Sequence, residues 1–490
     1  MNTQKVWNLF FPLLSFASIF PSHAKTAEAS KHPNIILIMA DDLGWGDVGF
    51  NGNPIVQTPI LDSLSTAGMR MDNFYSAAPL SSPTRASVLT GRNPFRTGVF
   101  SANVGILRPE ETTLPELLKN NGYTTGHFGK WHLGTLTYKE VDANRGRPGN
   151  LALYNPPAQH GYDEAFVTES KVPTYDPMIQ PVNNNGCFWD YVSEQDSVIP
   201  YGTFYWNIHG EKVTDGLKGD DSKIIMDRVI PFIQSAIDNQ QPFLSVVWFH
   251  APHLPCVAGK EYADLYQGLS VEERNYFGCI TAMDEQIGRL VHFLQQKQID
   301  ENTIILFCSD NGPELNTPGT AGEFRGKKRS LHEGGIRVPA FMVWKGKVRA
   351  GSSLAVPCTT SDYLPTIMEI IGADSSQLPI LDGESFWQKV SGVEKTRRKN
   401  LVFCSGNQGS VIGENYKLYY SKGIYELYNI QNDPFEKHDI ASENPIIVDH
   451  MKNYLLKEME NYKQTFLGKE YGDESYQRVN QKWWNIFNNE

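Results

Sequence analysis

Asn34-Ile35-Ile36-Leu37-Ile38-Met39-Ala40, ending in Asp41-Asp42, is the stretch whose reading decides the fold. From Ile35 to Ala40 every residue is apolar, so the run has no side to turn to water. Such a strand belongs inside a parallel sheet covered on both faces. Its end is polar: two adjacent carboxylates repel unless a cation lies between them, and Gly44-Trp45-Gly46 turns the chain soon afterwards. Thr303-Ile304-Ile305-Leu306-Phe307-Cys308-Ser309 repeats the pattern and ends in Asp310-Asn311-Gly312. Phe243 to Phe249 is a further apolar run, ending in His250-Ala251-Pro252-His253-Leu254-Pro255. Parallel strands deliver the loops at their carboxyl ends to one rim, where open α/β sheets place their ligands. Asp41, Asp42, Asp310 and Asn311 would then converge as hard oxygen donors of the kind Ca2+ or Mg2+ takes.

Leu80-Ser81-Ser82-Pro83-Thr84-Arg85-Ala86-Ser87-Val88-Leu89-Thr90-Gly91-Arg92 opens a helix. Ser82 suits the N-cap, Pro83 the first turn and Gly91 the stop. Ser81 is thereby expected just outside a helix N-terminus, where free N–H groups favour an anion. Arg85, one turn on, carries a fork of donors that matches sulfate or phosphate. In Gly122 to Gly134, Lys130 and His132 alternate about Trp131 and would share a face of an extended backbone, whereas His127 reads as structural. Phe324 to Pro339 is loop-like and basic, with Lys328 between Lys327 and Arg329.

Ser-x-Pro-x-Arg followed by Ala-Ser-x-Leu-Thr-Gly-Arg resembles the signature of the sulfatase family, in the alkaline-phosphatase superfamily. Ala40 to Gly44 and Ser309 to Gly312 are similar to its metal-binding segments, Lys130-Trp131-His132 to its sulfate-binding segment, and Ser361 to Ile371 and Glu426 to Pro434 to later stretches. The resemblance implies that a maturase oxidises Ser81 to formylglycine (3-oxoalanine). It places a metal, usually Ca2+ with Mg2+ the lesser alternative, on Asp41, Asp42, Asp310, Asn311 and the modified Ser81. It assigns Arg85, Lys130, His132 and Lys328 to the sulfate, and His253 to the leaving group. Counting back from Glu333-Gly334-Gly335 gives Lys328 its place, and His250 is either a partner of His253 or structural. The activity implied is hydrolysis of sulfate esters on a carbohydrate, a glycan such as mucin or glycosaminoglycan that includes sulfated galactose or N-acetylgalactosamine. Two other readings stay open. One is a phosphatase or phosphodiesterase of the same superfamily, although its zinc-dependent members need several histidines beside the acids. The other is an exported, non-catalytic glycan-binding protein.

The rest of the chain sets bounds on these readings. Its 490 residues are 40% hydrophobic and 20% charged, ordinary globular values, and the net charge of −11 argues against nucleic acid as a partner. Lys5, an apolar run to Phe20 and Ser22-His23-Ala24 read as a signal peptide over 1–24. That implies export to a periplasm or beyond, with no membrane span. The expected architecture is α/β: a large, mostly parallel central sheet flanked by helices, alkaline-phosphatase-like, over 31–395. A smaller α+β subdomain over 401–490 would hold a small antiparallel sheet and a helix from about Pro445 to Tyr462. The six cysteines form no zinc or disulfide pattern. Between Asn183 and Asn207, Phe188, Trp189, Tyr191, Tyr201, Phe204, Tyr205 and Trp206 read singly as packing of a long insertion onto the main domain, and as a group as flat faces for sugar rings.

Overall fold

The computed structural model describes residues 32–472 apart from 185, 375 and 377. The expected signal peptide, 1–24, lies outside the described residues. Nine strands form the main sheet: β1 (Asn34–Ala40), β2 (Met69–Met71), β3 (Thr124–Lys130), β4 (Glu164–Thr168), β5 (Tyr205–Asn207), β6 (Phe243–Trp248), β7 (Thr303–Ser309), β8 (Ala340–Val343) and β9 (Ser352–Leu354). Their order is β9-β2-β8-β7-β1-β6-β3-β4-β5. The centre, β7-β1-β6-β3-β4, is wholly parallel, whereas β8 and β5 run against their inner neighbours.

The apolar runs are buried on both faces, with alternate residues feeding different cores. Ile35, Leu37 and Met39 join one hydrophobic cluster, while Ile36, Ile38 and Ala40 join the other. In β7, Ile304, Leu306 and Cys308 divide from Ile305 and Phe307 in the same way. Helices cover each face. On the first lie α2 (Ser81–Thr90), α3 (Leu114–Asn120) and α6 (Tyr363–Ile371); on the second lie α1 (Pro59–Ala67), α4 (Asp221–Asp238) and α5 (Val271–Gln296). Continuous hydrophobicity in the strands and one-sided hydrophobicity in the helices thus give a three-layer arrangement. The rim formed by the ends of β1, β3, β6 and β7 carries the polar clusters.

The C-terminal part is a four-stranded antiparallel sheet, β10 (Leu401–Ser405), β11 (Gln408–Ile412), β12 (Tyr416–Ser421) and β13 (Ile424–Asn429), with α7 (Pro445–Phe466) against it. Met451, Leu455 and Met459 of α7 pack on Val402, Val411, Leu418 and Leu427. The other face, through Leu401, Phe403 and Tyr428, packs on Tyr75, Leu331 and Ile336 of the main body. All six cysteines are free, and Cys187 alone among them is exposed.

A buried ion cluster also joins the two parts. Lys417 Nζ donates to Glu333 Oε1 and Glu436 Oε1, each at 2.9 Å. Glu436 Oε2 accepts from the Glu333 backbone N–H at 2.8 Å, and Tyr75 OH donates to Glu333 Oε2 at 2.9 Å. Burial alone would raise the Glu436 carboxyl, but Lys417 and His332 hold it down to about 2. A depressed carboxyl stabilises the fold above its unfolded pKa and loses that contribution as pH falls through the folded value. Glu436→Gln should therefore cost about 3 kcal/mol at pH 7, and a smaller part of its stability should vanish between pH 5 and pH 3 than in wild type. Urea denaturation at several pH values checks this; identical pH slopes would contradict the assignment.

Candidate active site

Ser81 is the first residue of α2, and Leu80 takes the N-cap position expected of Ser82. The reason is tertiary: Ser82 Oγ donates to the His132 carbonyl at 2.7 Å, which ties the helix start to the loop after β3. Ser81 remains at the helix N-terminus and faces the acids. Its Oγ donates to Asp41 Oδ1 at 3.1 Å and lies 3.4 Å from Asn311 Oδ1. Asp42 has a left-handed backbone (φ 64°), and its N–H donates to Asp310 Oδ1 at 3.0 Å. Asn311 Nδ2 donates to Asp42 Oδ1 at 2.7 Å, leaving the amide oxygen on the Ser81 side. The four oxygen-bearing residues expected to converge on one rim therefore do so.

Each acid has its own cation. Lys130 Nζ donates to Asp41 Oδ2 at 2.6 Å, Arg85 Nη2 to Asp310 Oδ2 at 2.8 Å and Lys328 Nζ to Asp42 Oδ2 at 2.7 Å. Burial favours the neutral form of Asp41, yet Lys130, His253 and Arg85 overcome it and hold the carboxyl well below its usual range. Asp310 goes the other way: burial and the charge of Asp41 push it up to about 7, against the pull of Arg85. Three crowded carboxylates thus still compete for positive charge.

His253 Nδ1 faces the Leu254 carbonyl at 2.6 Å. A carbonyl only accepts, so this nitrogen carries the hydrogen. Burial then brings His253 down to about 4, against the charges of Asp42 and Asp41. Bare Nε2 lies 3.6 Å from Asp42 Oδ2, an acceptor beside an acceptor. Ligand atoms of Asp41, Asp42 and His253 fall within 4.8 Å of one another. The donor set, rich in carboxylate oxygen and still short of positive charge, fits a hard divalent cation.

A cavity of about 660 Å3 opens over Ser81, Lys130, His132, His253 and Lys328. Arg85 is not among its lining residues; fully buried, it lies over the Trp248 ring at 5.0 Å. Lys130 and His132 both line the cavity, but not by strand alternation. β3 ends at Lys130, and His132 adopts φ 58°, held by its N–H to the Glu169 carbonyl at 2.9 Å. His127 is structural as expected, enclosed by Trp131, Tyr162 and Trp248. His250 is structural too: fully buried, it lies between Asp221 Oδ2 at 2.8 Å and Thr168 Oγ1 at 2.7 Å.

Of the two readings of the aromatic segment, packing is the one the buried rings follow. Tyr205 and Trp206 are buried, with Tyr205 OH on Asp221 at 2.6 Å and Trp206 Nε1 on Asp142 at 2.8 Å. Trp189 is buried as well, and no Phe, Tyr or Trp lines the cavity among the described residues. Trp189, Tyr205 and Trp206 pack the insertion onto the body, whereas Tyr191 is exposed outside the cavity. In their place stand residues without a sequence signal. Glu314 pairs with Lys328 at 3.1 Å and with Arg329, and Asn103 Oδ1 meets His132 Nε2 at 2.8 Å. Glu314 lies four positions after Asp310, and that proximity was its only clue.

Comparison with known proteins finds several relatives. The family model described as Sulfatase matches residues 33–373. Mouse N-acetylgalactosamine-6-sulfatase is 32% identical over 374 residues, 73% of this chain and 66% of that protein. The chain thus spans about two thirds of that relative's length. Human arylsulfatase A is 31% identical over 402 residues, 78% of this chain and 73% of that protein. Among solved structures, Ps i-CgsB in complex with k-i-k-neocarrahexaose has a TM-score of 0.74 at 27% identity, covering 89% of this chain and 93% of that one.

The placement of His250 carries its own test. His250→Leu would strand the buried Asp221 carboxylate and should cost about 3 kcal/mol in urea denaturation. An unchanged midpoint would show that the Asp221–His250–Thr168 chain does not hold β6 to β4.

Proposed function

The chain belongs to the sulfatase family, and on that premise we propose that it hydrolyses sulfate esters on a carbohydrate through an aldehyde made from Ser81. The observation that carries the proposal is the juxtaposition at the rim: Ser81 Oγ lies 3.1 Å from Asp41 and 3.5 Å from Lys130 Nζ. Unmodified, that hydroxyl would be a weak nucleophile. A maturase that removes two hydrogens from Ser81 gives formylglycine, whose hydrate supplies one hydroxyl to attack sulfur and a second whose deprotonation expels sulfate. Asp41, Asp42, Asp310 and Asn311 would hold Ca2+, with Mg2+ the lesser fit, and such an ion would supply charge compensation for the nucleophile and the sulfate.

The chain's own residues do the rest. Lys130, His132 and Lys328 line the cavity and bind the remaining sulfate oxygens. Arg85 holds Asp310 in place and lends positive charge from behind the wall. His253, its ring fixed through Leu254, presents Nε2 to the leaving oxygen; a bound sulfate ester beside it raises its proton affinity and lets it hold or deliver a proton there. Residues 31–395 form the catalytic unit, and 401–490 a subdomain that adds Ser405, Gly406 and Gln408 to the cavity wall. The segment over 1–24 would send the protein to a periplasm; no helix among the described residues is long and apolar enough to cross a membrane. The substrate is a sulfated glycan, with sulfated galactose or N-acetylgalactosamine the favoured sugar. That preference draws on the mouse relative, named an N-acetylgalactosamine-6-sulfatase.

Two measurements test this reading. In protein from its native host, the peptide carrying Ser81 should be lighter by two hydrogens, and Ser81→Ala should lower kcat on a sulfated saccharide by about a thousandfold or more. An active protein with unmodified Ser81 would overturn the aldehyde. Calcium at a hundred times its Kd should stabilise the fold by about 2.7 kcal/mol, an effect removed by a chelator and weakened in Asp42→Asn. Zinc at two equivalents, with phosphatase activity, would support the phosphatase alternative instead.

A further inference from the structure

Lys130, Lys171, Lys328 and Arg329 are the lysine and arginine residues that line the cavity. Three of them are committed: Lys130 to Asp41, Lys328 to Asp42 and Glu314, and Arg329 to Glu314. Lys171 has no carboxylate partner among the described residues. In a chain with 55 acidic residues against 44 lysines and arginines, this leaves one half-buried cation in the cavity wall without a carboxylate of its own. Glu314, the only acid in that wall among the described residues, is already taken by Lys328 and Arg329.

The segment that presents Lys171 is rigid. Thr168 ends β4, and its Oγ1 donates to the Ser170 carbonyl at 2.6 Å. Glu169 is buried against Arg145 at 2.7 Å, and its carbonyl accepts from His132 N–H at 2.9 Å. Asn144 Nδ2 donates to Ser170 Oγ and to Asn103 Oδ1, each at 2.9 Å, and Asn103 in turn meets His132. A continuous hydrogen-bonded wall therefore runs from His132, at the anion site, to the residue just before Lys171. The backbone from which Lys171 extends is thereby tied to the His132 side of the anion site, in a cavity larger than one sulfate group fills.

We propose that Lys171 is a specificity residue that pairs with a second anionic group of the saccharide, a carboxylate or sulfate on the sugar adjoining the one that carries the reacting ester. The substrate class is then an acidic oligosaccharide and not a singly sulfated neutral sugar. This rests on the sulfatase reading above and adds to it a second charge at a stated place. One charge-assisted hydrogen bond of this kind changes affinity by roughly tenfold or more.

The test uses three disaccharide probes built on 6-sulfated N-acetylgalactosamine: one joined to glucuronic acid, its carboxyl-reduced analogue, and one joined to a sulfated neutral sugar. For the wild type, kcat/KM should favour the two doubly charged probes over the reduced one by roughly tenfold, with the difference in KM. The two doubly charged probes, compared with each other, tell whether the second anion is carboxylate or sulfate. Lys171→Gln should bring the ratio close to one, and Lys171→Arg should keep most of it. Equal treatment of all three probes by the wild type, or a ratio untouched by Lys171→Gln, would overturn the proposal. Calorimetric binding of the same probes to Ser81→Ala, with and without Lys171→Gln, separates the two readings. Charge-dependent binding through Lys171 without any turnover by the wild type would sink the hydrolase reading alone. Turnover with no dependence on Lys171 would sink this inference alone.

Discussion

Burying three carboxylates within reach of one another is the constraint on which this structure depends. Asp41, Asp42 and Asp310 are all essentially inaccessible to solvent, and an isolated buried charge is far too costly to keep. The chain meets the constraint with Lys130, Arg85 and Lys328, brought from three separate segments so that each of the three carboxylates has a base against it. Removing any of the three bases would leave an uncompensated buried acid, so the site and the fold around it are coupled. The rise of Asp310 to about 7 marks where compensation is thinnest.

The same balance explains how a protein of net charge −11 can receive an anion. Its acids lie elsewhere, exposed, ion-paired or hydrogen-bonded within the fold, whereas the cavity wall carries lysines, Arg329 and two histidines beside a single acid among the described residues. The loops bearing those bases are held from behind. Ser82 grips the His132 carbonyl, Glu169 grips the His132 N–H, and the Lys417–Glu333–Glu436 cluster anchors the segment five residues beyond Lys328. Preorganised charge of this kind is what stabilises a transition state whose oxygens gain negative charge.

Much of this is legible along the chain, because apolar periodicity reports on burial. Ile35 to Ala40 and Ile304 to Cys308 have no polar side, and both lie between two helical layers with parity split between two cores. Acids at the ends of such runs had to meet. What failed was local inference overridden by tertiary contacts. Ser82 has the chemistry of an N-cap, but its hydroxyl finds a better partner in His132. Lys130 and His132 face one cavity because the backbone turns left-handed after β3, not because a strand alternates. Aromatic composition could not tell a sugar platform from packing, and Asp142 and Asp221 resolve it by binding Trp206 and Tyr205. Glu314, Asn103 and Lys171 belong to no pattern along the chain; only the cavity brings them together.

Where a cation and an anion settle tests the site most directly. Crystals grown with calcium and soaked in sulfate, measured for anomalous scattering, locate both at once. One calcium among Asp41, Asp42, Asp310 and Asn311, with sulfate against Lys130, His132 and Lys328, is the predicted result. Calcium bound elsewhere, or sulfate found only away from Ser81, would contradict it.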